Sequence, residues 1–209
     1  LATEDYENDK VQDIDYINKG VDVIEDFDPK IITALYEKRA IPADEFPLEK
    51  GLVANQYFVL RNGSQSVMAY YDPFSELVMR IEKQGAYGID PRNAEQTFAL
   101  NALLYPEIKL ISLTGKAGTG KTLLALAAAL QQLKQFKQIL LARPIVPLAN
   151  RDIGFLPGDI NEKIGPYMQP LYDNLGVIKS RHSAQSRENM VIDELVKTQQ
   201  LVITPLAYI

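Results

Sequence analysis

Eight consecutive residues constrain this chain more than any others: Gly115-Lys116-Ala117-Gly118-Thr119-Gly120-Lys121-Thr122. They fit G-x-x-x-x-G-K-[ST], the phosphate-binding P-loop. Ahead of them, Ile108-Lys109-Leu110-Ile111-Ser112-Leu113 alternates and then runs apolar, which predicts a buried strand. Behind them, Thr122 to Leu130 is rich in good helix formers. In this strand, turn, helix order the first N–H groups of the helix, and the positive end of its dipole, face a polyphosphate. Glycines at 115, 118 and 120 let the backbone approach closely and take dihedrals that a Cβ would forbid. Lys121 is expected to reach the β- and γ-phosphates, and the Thr122 hydroxyl to ligate Mg²⁺. ATP and Mg²⁺ are therefore the expected cofactors, and the whole run, Lys116, Ala117 and Thr119 included, is the expected nucleotide cradle. The competing reading is a glycine-rich turn that matches by accident.

The rest of the chain supplies a setting for that loop. Gln138 to Ala142 reads as a second buried strand, stopped by Arg143-Pro144, and Leu201 to Thr204 as a third. Strand, crossover helix and strand imply a parallel sheet with right-handed connection. Between them, 143–187 carries Pro144, Pro147, Pro157, Pro166 and Pro170 with four glycines, and reads as irregular. Within it, Arg151 to Asp159 mixes charge, glycine and Phe155 in a long loop of the kind that often serves as a lid. Upstream, Gly85 to Asn93 is a loop and the expected domain boundary, and Asn93 to Leu104 a helix.

Residues 1–20 read as a weakly structured acidic lead-in, and Val21 to Ile24 as a short strand. Asp28-Pro29 is an N-cap followed by proline at the first helical position, predicting a helix over 29–39 that ends in a loop marked by Pro42 and Pro47. Strand-like runs at 56–60 and 66–71 flank Asn62-Gly63, a hairpin signal, with a linker that reads as longer than two residues. Leu77 to Ile81 adds a strand, so 51–83 is expected to be a small antiparallel meander. Its aromatics Tyr57, Phe58, Tyr70 and Tyr71 fit cross-strand packing better than base stacking, since no basic cluster accompanies them.

A P-loop enzyme also needs a carboxylate at the end of a neighbouring strand to hold Mg²⁺. Met190-Val191-Ile192-Asp193-Glu194 is the tempting candidate, but Leu195 and Val196 extend the apolar pattern at helical spacing. A helix over 187–200 is the better reading, so the acid strand is expected beyond Ile209, and this stretch alone to hydrolyse nucleotide poorly or not at all.

Composition excludes several classes. Without cysteine there is no disulfide and no thiolate metal site, which fits a cytoplasmic protein. There is no run of 18 apolar residues, so no membrane span is expected. The acidic start lacks a signal peptide, and the absent initiator Met suggests a piece of a longer protein. The net charge of −5 is uneven: residues 1–50 hold 14 acids against 6 bases, and 51–209 hold 13 against 16. That asymmetry hints at two units, and the basic excess is too small to imply nucleic acid. His182, the only histidine, lies in a polar stretch with no triad partners and reads as a solvated loop residue.

From Gly88 to Ile209 the chain resembles the PhoH family of P-loop ATPases. The resemblance rests on Ile89-Asp90-Pro91-Arg92-Asn93-Ala94-Glu95-Gln96, on Thr114 to Thr122, and on Ala142-Arg143-Pro144 with Ile153-Gly154-Phe155-Leu156-Pro157-Gly158-Asp159. It implies a RecA- or helicase-like α/β fold over 85–209, incomplete at the C-terminus, with a small β-rich spacer domain over 1–84. It further implies that Gln96 contacts adenine, that Arg143-Pro144 touches a nucleic-acid strand, and that the Walker B aspartate-glutamate follows Ile209. Residues 1–83 look like the spacer after a PIN nuclease domain in the long relatives, for which the resemblance implies ATP-driven RNA unwinding coupled to cleavage in ring-shaped oligomers. Two other readings stand beside this one. One is a small-molecule kinase using the same loop, with Asp152 or Asp159 as base. The other is a non-catalytic module for assembly or RNA contact.

Overall fold

The first helix starts where its cap dictates. The Asp28 side chain accepts the Lys30 N–H at 2.8 Å, and Pro29 takes the first helical position, where its missing N–H costs nothing. Helix α1, Pro29–Lys38, ends at Arg39 in the left-handed conformation (φ 66°). The structure, a computed structural model, describes residues 21–48, 51–144 and 160–206. It divides into two units, Leu1–Glu82 with Asn93–Phe98, and Lys83–Arg92 with Ala99–Ile209.

The first unit is a five-stranded sheet: β1 Asp22–Ile24, β2 Ala40–Pro42, β3 Tyr57–Asn62, β4 Gln65–Asp72 and β5 Leu77–Arg80. The order is β1-β3-β4-β5-β2, with β1 parallel to β3 and the other pairs antiparallel. The expected meander is present as β3-β4-β5. The sheet is nevertheless larger than a meander, because β1 and β2 from either side of α1 add its two edges. β1 is the short strand expected at 21–24, whereas β2, three residues in a stretch that reads as a loop, is too short to show alternation in sequence. The hairpin is also tighter than expected: Asn62 pairs with Gln65, leaving Gly63-Ser64 as a two-residue loop with Gly63 at φ 53°. The strands run on through polar Arg61, Asn62, Gln65 and Ser66, which hydrophobic patterning cannot see.

Alternation along the strands gives this sheet two apolar faces. One buries Phe58, Leu60, Val67, Ala69 and Val78 with Ile32 and Leu35 of α1. The other buries Val59 and Tyr70 with Ile81 and Phe98. Tyr57 stacks on Tyr70 with ring centroids 5.7 Å apart and lies 5.1 Å from Phe98. The aromatics of the meander are therefore core and cross-strand partners.

The second unit holds a parallel pair, β6 Ile139–Arg143 and β7 Leu201–Pro205, in register Ile139 to Leu201. Parallel neighbours need a long crossover, and here it contains α4, Ile160–Lys179, and α5, Arg187–Lys197. Helix α2, Ala94–Leu104, precedes the glycine-rich loop, and α3, Lys121–Gln131, follows it. The core gathers Leu100, Leu124, Leu126, Ala127, Leu130, Leu175, Ile178, Ile192, Leu195 and Leu201.

Three expectations for this unit meet different outcomes. The helix over Asp193 is present: Ser186 caps α5 through the Asn189 N–H at 3.2 Å. Asp193 binds Lys179 at 2.6 Å from a helix face and ends no strand. Residues 160–179, expected to be irregular, form a helix carrying Pro166 and Pro170. Internal prolines each cost about 3 kcal/mol, and the buried stripe of Met168, Leu171, Leu175 and Ile178 offsets that. The strand expected at Ile108 to Leu113 is absent. β6 and β7 pair with each other, no described strand lies beside 108–113, and Leu110 is 91% exposed. An apolar alternating run is only a strand when a neighbour takes its N–H and C=O groups.

Burial, and next the Tyr70 phenol, pushes the Tyr57 hydroxyl well above its ordinary value. The folded chain thus keeps a proton that the unfolded chain loses near pH 10, so stability is full below about pH 10 and falls above it. Tyr57→Phe is expected to flatten the alkaline loss of stability between about pH 10 and 12. Urea unfolding at stepped pH measures it, and an unchanged slope contradicts the assignment.

Candidate functional site

The loop from Gly115 to Gly120 is built on left-handed backbone. Gly118 and Gly120 stand at φ 79° and 86°. A Cβ at Gly118 would meet nothing within 4 Å, so glycine is needed there for its dihedral and not for space. Gly120 is the N-cap of α3 and offers no capping side chain. Residues 114–119 and Thr122 are exposed, and Gly120 and Lys121 half-buried. The start of α3 therefore opens to solvent instead of packing against protein.

Lys121, the first residue of α3, turns its ammonium back into the loop. Its Nζ donates to the carbonyls of Gly115 and Lys116, each at 2.8 Å, and to the Thr119 hydroxyl at 3.2 Å. The Thr119 hydroxyl in turn donates to the Lys116 carbonyl at 2.9 Å. An ammonium has three donors, and all three are engaged within the loop. Neither Lys116 nor Lys121 is in an ion pair among the described residues.

The other residues singled out from sequence are placed as follows. Gln96 stands in the first turn of α2, in the first unit, its backbone N–H held by the Asn93 side chain at 2.9 Å. Arg143 closes β6 and donates from Nη1 to the Tyr167 carbonyl at 3.3 Å; Pro144 follows it, exposed and outside the strand. The 151–159 stretch, with Asp152 and Asp159, lies outside the described residues. No group of three or more acidic or histidine side chains suited to a metal occurs among the described residues.

Sequence reasoning placed Thr119 in the expected cradle without seeing the hydrogen bonds of its side chain, and it misread His182. His182 is half-buried, and its Nε2 lies 3.1 Å from the Tyr87 carbonyl. A carbonyl only accepts, so Nε2 carries the proton. Tyr87 is held twice more, its N–H by Gln131 Oε1 and its hydroxyl by the Glu188 carbonyl, both at 3.0 Å. Burial, with Glu188 second, raises its phenol pKa. These bonds fix a turn in which Tyr87 (φ 45°) and Gly88 (φ 79°) are both left-handed. A Cβ on Gly88 would come within 2.8 Å of His182 Nε2. The available signal was the Tyr87-Gly88 pair; the histidine's partner is 95 residues away and leaves no local trace.

Fold and loop together define an α/β protein with a parallel strand pair and a glycine-rich loop that opens a helix. A family model described as "PhoH-like protein" matches residues 88–209, more than half of the chain, and the chain belongs to that family. It is 38% identical over 183 residues to Protein PhoH2 of Bacillus subtilis, covering 84% of this chain and 41% of that protein. It is 44% identical over 97 residues to a PhoH-like protein of Bacillus subtilis, covering 45% and 27% respectively. Protein PhoH of Escherichia coli is 39% identical over 119 residues, covering 56% and 31%. The chain thus spans well under half the length of these relatives. No solved structure matches it.

Two substitutions test the local geometry. Gly88→Ala forces a side chain into a left-handed turn, costing about 1–2 kcal/mol before the contact with His182 is counted, so the melting temperature should fall by several degrees. Thr119→Val removes one hydroxyl from the loop and should speed amide exchange across 115–120 about fivefold, for about 1 kcal/mol of hydrogen bond. Its effect on global melting should be negligible, because the loop is exposed.

Proposed function

We propose that this chain is the nucleotide-binding part of a PhoH-family ATPase of the P-loop class, taking ATP with Mg²⁺ at Gly115 to Thr122. The observation that carries the reading is the start of α3, which no side chain caps, with the Lys121 ammonium turned over it and in no ion pair among the described residues. Backbone N–H groups, a helix dipole and a lysine converge there, with no carboxylate paired to the lysine among the described residues. The residues present fit the group. Left-handed Gly118 and Gly120 keep side chains out of the cradle, Thr122 is exposed at the first turn, and Lys121 can exchange its longest bond, the 3.2 Å one to Thr119, for a phosphate oxygen. Bound Mg²⁺ would neutralise phosphate charge, with Thr122 as the protein ligand beside the phosphate oxygens.

In the whole protein the reading extends to RNA-directed work, unwinding or processing, carried out in a ring of copies. Its support is the family membership together with Arg143, exposed at the end of β6 where the family resemblance expects contact with a strand. Gln96 is the residue assigned to adenine in the same reading.

Calorimetric titration of ATP with Mg²⁺ into this chain and its Lys121→Ala variant tests the proposal. Wild type should bind, and the variant should bind at least about 30-fold more weakly, for about 2 kcal/mol of charge-assisted hydrogen bond. Equal, negligible heats for both proteins would remove the nucleotide assignment.

A further inference from the structure

An aromatic ring stands out of the segment between α3 and β6. Phe136 is 61% exposed and lies between Lys134 and Lys137 in sequence, and neither lysine is in an ion pair among the described residues. The backbone on either side of it is tied down. Gln135 donates its N–H to the Gln132 carbonyl at 2.8 Å, and the Gln138 side chain donates to the Gln199 carbonyl at 2.8 Å. Two hollows adjoin at this ring. One, of about 270 Å³, is lined by both lysines with Leu133, Val191 and Leu195; the other, of about 220 Å³, by Leu103, Ala125 and Ala129. Phe136 and Gln138 line both. Each hollow is smaller than the roughly 300–1,000 Å³ of a small-molecule pocket, so each suits one flat group and not a whole metabolite.

We propose that Phe136 is a stacking platform for a single-stranded nucleic acid, with Lys134 and Lys137 as its phosphate contacts. Two adjoining niches that share an aromatic wall match successive bases of one strand, and two ammonium groups beside the ring match the backbone that links them. Every base has a π-face, so this contact tolerates sequence. Glu194 lines the larger hollow too. Its carboxylate repels phosphate, which keeps the backbone on the lysine side and turns the bases inward. The surface is separate from the nucleotide loop: α3 has 11 residues, about 16 Å of helix, and Phe136 follows its far end. It is separate from Arg143 as well, which closes β6, whereas Phe136 precedes the start of that strand. The proposal builds on the RNA-directed reading of the whole protein and gives it a second strand contact.

The chain contains no tryptophan, so Phe136→Trp places a single fluorophore at the ring's position. Oligouridine of about 12 nucleotides, within the usual range of single-strand site sizes, should quench it. An abasic backbone of equal length should not. Fluorescence anisotropy of labelled oligouridine then measures affinity. Phe136→Ala should bind about tenfold more weakly, with an unchanged melting temperature because the ring is exposed. Lys134→Gln with Lys137→Gln should lower the slope of log affinity against log salt by about 1.4, about 0.7 for each lost contact to a single strand. Glu194→Gln should tighten binding. If wild type and Phe136→Ala bind oligouridine equally, this inference falls and the RNA-directed reading stands. If polyglutamate competes as well as unlabelled oligouridine, the groove takes an acidic polypeptide and the inference falls. If wild type binds no oligouridine, both readings fall together.

Discussion

The start of α3 places a lysine where the electrostatics of a helix disfavour one. The N-terminal end of a helix carries partial positive charge and welcomes anions, yet its first residue is Lys121 and no acidic residue lies in its first turn. The conflict is contained by three loop acceptors, the Gly115 and Lys116 carbonyls and the Thr119 hydroxyl. These acceptors are dipoles and cannot cancel a full charge. An anion at the same place would satisfy the ammonium and the helix start together, which is why the clasp supports the proposed phosphate site.

Parallel strands impose the other constraint on this unit. β6 and β7 cannot be joined by a tight turn, so the chain between them must leave the sheet and return, and α4 and α5 are that excursion. Their buried faces, Leu175 and Ile178 on one and Ile192 and Leu195 on the other, meet Leu126, Ala127 and Leu130 of α3 in a single core. The requirement is strong enough to carry two prolines inside α4. The Asn174 side chain takes the Pro170 carbonyl at 2.6 Å, one of the helix's acceptors.

What could be read from sequence divides by the range of the interaction. Asp28-Pro29, the Asn62-Gly63 hairpin, the helix over Asp193 and the start of α3 were all legible, because each is fixed by residues a few positions apart. The short strand expected at 21–24 is present as β1. The failures are long-range. β2 is a strand only because β5 accepts it as an edge. Ile108 to Leu113 has the right pattern and lacks a described partner. His182 looked solvated because Tyr87 is remote in sequence. At the candidate site the motif identified the loop, Thr119 included, but not the Thr119 side-chain bond, since a hydroxyl that bonds a carbonyl three residues back can be seen only once the loop is folded.

The two ends of α3 are fixed by unrelated means. At its start the lysine clasp binds it to the loop. At its end the Gln131 side chain takes the Tyr87 N–H, and the Gln132 side chain donates to the Leu103 carbonyl at 2.8 Å. Tyr87 can hold its left-handed backbone, uncommon for an aromatic residue, because Gln131, Glu188 and His182 all bind it. Strain of this kind persists only where the surroundings over-determine it. A helix restrained at both ends keeps the direction of its first N–H groups fixed before any ligand arrives. For the nucleotide proposed at this loop, such preorganisation would lower the ordering cost of binding.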